Sequence, residues 1–122
     1  MQALMSIKPE YIEKIFNGTK KYEYRKTKPT YNINKIIIYS TSPIKKVVGE
    51  IKIKNIIIDT KENIWNKTQK YSGTTKEFYD KYFKDRKIAI AYEIDKVIKY
   101  ETPKELIDFG IKNAPQSFIY IK

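Results

Sequence analysis

Lys20, Glu23 and Arg25 stand within Gly18-Thr19-Lys20-Lys21-Tyr22-Glu23-Tyr24-Arg25. They bring an ammonium, a carboxylate and a guanidinium fork to one short stretch. The arginine is the informative member. Of the 25 basic residues only Arg25 and Arg86 are arginines, and every other is lysine. A surface ion pair is served equally well by lysine and contributes about 0–1 kcal/mol. Arginine is required where a planar fork must hold a carboxylate or phosphate bidentately, or stack on a base. Arg86 follows a helical stretch, where it can satisfy the last carbonyls.

Absent residues narrow the chemistry further. The chain has no cysteine and no histidine, which excludes thiol nucleophiles, thiolate metal sites and the commonest general base. Nucleophilic catalysis would rest on hydroxyls such as Thr19, Ser40, Thr41 or Ser117, activated by Lys20 or Glu23. A metal-dependent nuclease would need convergent carboxylates, for which Glu23, Glu50 and Glu93 are the strand candidates. Neither a metal nor a cofactor is expected.

The net charge of +11 suggests a polyanionic partner. Part of the lysine content follows from AT-rich codon usage, as isoleucine outnumbers leucine 22 to two. No apolar run approaches membrane-spanning length and the N-terminus lacks a signal-peptide pattern, so a cytoplasmic location without membrane contact is expected.

The elements must carry these residues to one place. Residues 2–8 read as a strand. Pro9 opens a helix whose Tyr11, Ile12, Ile15 and Phe16 form an apolar face, and Asn17-Gly18 stops it. Residues 21–26 alternate, placing Tyr22 and Tyr24 toward the core and Glu23 and Arg25 toward solvent or a cleft. Lys20, at the helix–strand junction, can extend its stem to the same side. After a loop at 28–35, residues 35–42 form a buried strand ending at Pro43. Residues 45–59 form a long strand with Val47, Gly49, Ile51 and Ile53 inward and a phase shift near Asn55 that predicts a bulge.

Asp59-x-x-Glu62 and Thr74-x-x-Glu77 predict capping boxes for two short helices. The first carries Ile64, Trp65, Thr68 and Tyr71, the second Phe78, Tyr79, Tyr82 and Phe83. Residues 87–101 form a second long strand with Ile88, Ile90, Tyr92 and Ile94 inward. Thr102 to Glu105 cap a helical turn that ends at Gly110, and residues 117–122 close the chain as a strand. The order predicts a single domain over residues 1–122, of mixed α/β class, with a small sheet curling into a barrel and short helices at its ends. A flat α+β sheet is the alternative.

Ser6-Ile7-Lys8-Pro9, Tyr11 and then Gly18-x-Lys20-x-x-Glu23-x-Arg25 resemble the signature of the ASCH (activating signal cointegrator homology) family, whose hallmark is G-x-K-x-x-E-x-R. The resemblance extends to Tyr39-Ser40-Thr41-Ser42-Pro43 with Gly49-Glu50, and to Pro115-Gln116-Ser117-Phe118. It implies a PUA-like β-barrel of five to six strands and a role in binding RNA or modified nucleotides. It further implies a cleft lined by Lys8, Lys20, Glu23 and Arg25, with Tyr39, Ser40 and Thr41 across from them and Ser117 nearby.

Four functions compete. An RNA-binding module, with DNA as an alternative partner, would use lysines on phosphates and aromatic rings on unpaired bases; Tyr31, Tyr39 and Tyr71 are the surface candidates for stacking. A small hydrolase is the second, because some compact relatives deacylate N4-acetylcytidine with a lysine, a threonine and a glutamate. This chain keeps the lysine as Lys20 but has Glu23 at the threonine position, so its catalytic set would be Lys20, Glu23 and Thr41. The metal-dependent nuclease is the third. The fourth is a protein-interaction domain docking through the aromatic face of residues 64–83.

Overall fold

The computed structural model describes residues 1–121; Lys122, the end of the expected closing strand, lies outside the described residues. Alternating and continuous apolar runs assemble here into one curled sheet. Strand β1 (Gln2–Ile7) leads into helix α1 (Pro9–Phe16), then β2 (Tyr22–Arg25), β3 (Lys35–Ser40) and β4 (Lys46–Thr60). Helices α2 (Lys61–Thr68) and α3 (Lys76–Tyr82) precede β5 (Ile88–Lys104), and β6 (Phe118–Ile121) ends the order. Short 3-10 turns cover Gln69–Tyr71 and Leu106–Phe109.

The six strands lie in the order β2-β5-β4-β3-β1-β6. Only β1 and β3 run parallel; the other neighbours are antiparallel. The sheet is a half-barrel of the PUA-like kind, mixed with three short helices. Register shifts flank Ile53 in the β4–β5 ladder, where the phase change near Asn55 places them, and such irregularities bend a long strand.

Both faces of the sheet are covered. On one, α1 sets Ile12 and Ile15 against Ala3, Met5, Ile36, Ile38, Ile51, Ile90 and Tyr92. On the other, α2 and α3 pack Ile64, Tyr79 and Phe83 on Tyr24, Ala89 and Ala91. A third cluster joins Leu4, Ile37, Tyr39, Val47 and Ile111. Burial on two faces explains why residues 89–92 are all buried rather than alternating. Ile88, expected inward, is instead exposed at the strand's start.

The caps also differ from expectation, by one residue each. Thr60 accepts the Asn63 amide and Thr75 accepts the Phe78 amide, so threonine hydroxyls do the work assigned to Asp59 and Thr74. Strand β5 continues through Thr102 and Pro103 to Lys104, and the next turn is capped by Glu105 with Asp108. Phe83 is fully buried and Trp65 half-buried. Ile64, Tyr79 and Phe83 therefore cover one side of the sheet, which takes Phe83 out of any docking face, while Phe78 and Tyr82 stay exposed.

Candidate functional site

The register of β2 against β5 decides where the charged residues go. Tyr24 sits opposite Ala91, Glu23 opposite Tyr92 and Arg25 opposite Ile90. Residues opposite one another share a face, so Tyr24 joins the α2/α3 cluster while Glu23 and Arg25 enter the α1 face beside Tyr92 and Ile90. Strands β2 and β6 are the sheet's two edges, and among the described residues no strand pairing joins them. Arg25 reaches across this seam. Its Nη1 donates to Ser117 Oγ, just before β6, at 3.1 Å, and its Nη2 donates to the Ser6 carbonyl on β1 at 3.1 Å. The same Nη2 pairs with Glu23 Oε2 at 2.9 Å. Glu23 is 7% exposed and Arg25 8%. The fork is thus committed to the protein's own groups, and Nε is buried without a partner among the described residues.

Lys20 is 3% exposed. Its Nζ donates to the Ser72 carbonyl at 2.7 Å and lies 4.8 Å from the Tyr24 ring centre and 5.2 Å from that of Tyr11. Burial lowers its pKa from the usual 10.5, with Glu23 opposing the shift and Lys14 and Arg25 adding to it. Gly73 makes this seat possible. Its φ is +69°, and a Cβ there would come within 2.6–2.8 Å of the Lys20 stem. Tyr24 is itself fixed from behind: its hydroxyl meets Thr68 Oγ1 at 2.6 Å, and Thr68 donates to the Ile64 carbonyl at 2.7 Å. Thr68 therefore accepts from Tyr24. The phenol, desolvated by burial, is pushed up to about 12.

These groups line a cleft of about 650 Å³ at the seam. Ser6, Ile7, Lys8, Ser117 and Gln116 come from the β1/β6 side, and Thr74, Phe78, Tyr79, Lys81, Tyr82 and Arg86 from the α3 side. Phe78 is 61% exposed and is the most exposed aromatic ring of the cleft lining. Lys26 Nζ stands 4.6 Å from the Tyr82 ring centre.

Of the residues expected at the site, the cleft gathers Lys8, Lys20, Glu23, Arg25 and Ser117. Tyr39, Ser40 and Thr41 are not among its lining. Tyr39 packs in the third core cluster, which also removes it from the surface stacking candidates, and the Ser40 hydroxyl is buried without a partner among the described residues. Thr41 is used by its backbone, donating to the Ile7 carbonyl and accepting from Ile44. The physical reason is distance from the open seam: β3 stands two strands in from the β6 edge, with β1 between, and it is β1 that brings Ser6 and Ile7 to the cleft.

The carboxylates proposed for a metal do not converge. Glu93 lies opposite Tyr22, on the other face from Glu23, and accepts from Asn55; Glu50 pairs with Lys35 and accepts from Tyr100. Among the described residues no group of three acidic side chains is placed to hold a cation. Among the described residues no helix is long and apolar enough to cross a membrane.

Sequence reasoning missed Ser72, Gly73, Phe78, Lys81 and Arg86. The first four lie some fifty residues or more from the motif and carry no local signal. Arg86 did carry one, since the rarity of arginine that singles out Arg25 applies to it equally.

Comparison with known proteins agrees with this geometry. The ASCH domain family model matches residues 5–104. Over 120 residues, 98% of this chain, it is 34% identical to part of the ATP synthase subunit alpha of Ureaplasma parvum serovar 3, spanning only 15% of that protein. It is 27% identical over 92 residues to the ASCH domain-containing ribonuclease of Zymomonas mobilis, covering 75% of this chain and 62% of that one. The crystal structure of ASCH from Zymomonas mobilis superposes with a TM-score of 0.88 at 24% identity, covering 99% of this chain and 87% of that one, which establishes the shared fold. With a half-barrel sheet and the G-x-K-x-x-E-x-R residues at its seam, the chain belongs to the ASCH domain family.

Proposed function

We propose that this protein binds unpaired RNA and takes one nucleotide into the seam cleft. The observation that carries the reading is the exposed Phe78 ring on the wall of a cleft whose mouth holds Lys8, Lys26, Lys81 and Arg86. Cations at the mouth attract the phosphate backbone without regard to sequence. An aromatic face accepts a stacked base, contributing about 1–3 kcal/mol per base. A volume of about 650 Å³ falls within the usual range for small-ligand pockets. The similarity to a protein named a ribonuclease adds independent weight to an RNA role.

The test is binding to single-stranded and transfer RNAs across a salt series, with matched DNA strands. Phe78→Ala should weaken binding by about 1–3 kcal/mol with the salt slope unchanged. Lys81→Gln and Arg86→Gln should each reduce the slope by about one. Variants that all bind like the parent chain would place RNA elsewhere on the surface, and equal affinity for DNA would remove the preference for RNA.

Lys20 favours a second reading, hydrolysis. Its amine is buried, depressed in pKa and close enough to Glu23 to feel its charge, and either group can take a proton from water or from a hydroxyl. Ser117, whose hydroxyl accepts from Arg25, is one of the cleft's aliphatic hydroxyls, beside Ser6, Thr27 and Thr74. Strand cleavage on a gel and loss of the acetyl group from N4-acetylcytidine by absorbance test the two possible reactions. Lys20→Met should abolish whichever occurs, and absence of both reactions would overturn this reading.

A further inference from the structure

We infer that the floor of the cleft receives the edge of a nucleobase, while phosphates stay at its mouth. This rests on the RNA reading above and narrows it. Lys20 and Glu23 are opposite charges, each more than nine-tenths buried, on the floor of one cleft. Buried opposite charges ordinarily pair, because burial makes an unpaired charge costly. Here they do not pair with each other. Lys20 turns to the Ser72 carbonyl and the rings of Tyr11 and Tyr24, and Glu23 gives Oε2 to Arg25.

Each keeps something unspent. A lysine amine has at least one N–H beyond the one given to Ser72. Glu23 Oε1 has no partner among the described residues, and it is not among their fully enclosed unpaired atoms. The floor therefore presents a free donor and a free acceptor from groups three residues apart.

A phosphate would satisfy only half of this. Its oxygens accept from Lys20, but it has nothing to give Glu23 and is repelled by the carboxylate. A lone cation fails in the opposite way. A rigid edge carrying a donor beside an acceptor satisfies both, and within a nucleic acid that edge belongs to the base: amino group and ring nitrogen, or ring N–H and carbonyl. The walls agree, since Tyr11, Tyr24, Phe78 and Tyr82 are ring systems suited to a flat heterocycle. The charges are ordered along the cleft in the same sense. The unpaired carboxylate oxygen is at the floor, and the exposed cations Lys8, Lys26, Lys81 and Arg86 stand at the mouth, where the flanking phosphates of a strand would lie.

The experiment titrates the full chain with uncharged nucleosides, following binding by NMR shifts and calorimetry. Adenosine should bind with little salt dependence and perturb the amides around Lys20, Glu23 and Phe78. Purine riboside, which lacks the amino group but adds no bulk, should bind at least tenfold more weakly, as expected for loss of a hydrogen bond to a charged acceptor. Inorganic phosphate and ribose 5-phosphate should not displace adenosine. In Glu23→Gln, which leaves Arg25 its contacts to Ser6 and Ser117, the gap between adenosine and purine riboside should shrink. Displacement by phosphate, or equal binding of the two nucleosides to the parent chain, overturns the inference. RNA binding without nucleoside binding refutes the base-edge floor alone, whereas nucleoside binding without RNA binding refutes the RNA reading and keeps the floor.

Discussion

Replacing Arg25 with lysine keeps the charge and removes the fork, so it measures what geometry contributes at the seam. The guanidinium holds Glu23 at 2.9 Å, the Ser6 carbonyl at 3.1 Å and Ser117 Oγ at 3.1 Å, almost wholly out of solvent. A single ammonium on a shorter reach can keep Glu23 but cannot also bridge β1 and the residue before β6. Hydrogen bonds involving a charged group contribute about 1.5–3 kcal/mol each, and relaxation around the lysine recovers part of two such losses. The expected destabilisation is about 2–3 kcal/mol. It should remain below the roughly 3–5 kcal/mol expected when a buried carboxylate loses its partner outright, as in Arg25→Ala.

Urea unfolding followed through Trp65 reads this directly, because the single tryptophan packs 4.8 Å from Tyr79 between ring centres. Ser117→Ala removes one of the same contacts and should cost about 1 kcal/mol. The two changes act on one bridge, so the double variant should show a coupling of about 0.5–1 kcal/mol, at most the whole Ser117→Ala loss. Strict additivity, or an Arg25→Lys loss below about 0.5 kcal/mol, would show that the seam is not held by the fork.

Three further outcomes follow from the seat of Lys20. Thr68→Val keeps the shape but leaves the buried Tyr24 hydroxyl without its acceptor, so the urea midpoint should fall by about 1–3 kcal/mol equivalent with the slope unchanged; no shift would mean that Tyr24 is not held from behind. Gly73→Ala introduces a Cβ within 2.6–2.8 Å of the Lys20 stem at a positive φ and should displace the side chain. Mass spectrometry after amine acylation would then find Lys20 modified faster than in the parent chain, and unchanged protection would refute the packing argument. Because burial depresses the Lys20 pKa below 10.5, the fold binds fewer protons than the unfolded chain just below that pH. The stability of the parent chain relative to Lys20→Met should therefore rise as pH approaches 10.5, and a flat difference curve would show that the lysine is not desolvated.

Element order was legible in the sequence because it rests on local patterns. Pro9 and Gly18 bound the first helix, alternation marks β2 and the register shifts around Ile53 follow the phase break near Asn55. What the sequence could not show is which faces meet. Alternation at Tyr22–Arg25 was compatible with a core face and a wet face, yet both faces are covered, one by α2 and α3 and the other by the α1 side of the sheet. A run such as KIIIYS reads the same in an interior strand as beside a cleft, and the sheet order decides the matter. That is why Tyr39, Ser40 and Thr41 fall away from Lys20. Ser72 and Gly73 were equally out of reach, since nothing local in YSGTT marks it as the seat of a lysine fifty residues earlier.

The rarity of arginine now has a structural account that differs from recognition of a ligand. A half-barrel whose edge strands do not pair needs a bridge at the open seam, and the bridge must meet a carbonyl, a hydroxyl and a carboxylate from three places at once. Lysine can meet one or two of these; the planar fork meets all three. Once Arg25 is committed to the seam, the proposed ligand chemistry falls to the groups it leaves free. Arg25 takes one oxygen of Glu23 and leaves the other open to the cleft, while Lys20, held by Ser72 and two tyrosines, stays separate from the carboxylate instead of neutralising it. The same bridge that keeps the edges together thus keeps a donor and an acceptor apart. Weakening it should therefore degrade the cleft's selectivity as well as the fold's stability, and the nucleoside titration repeated on Arg25→Lys would show whether the two losses travel together.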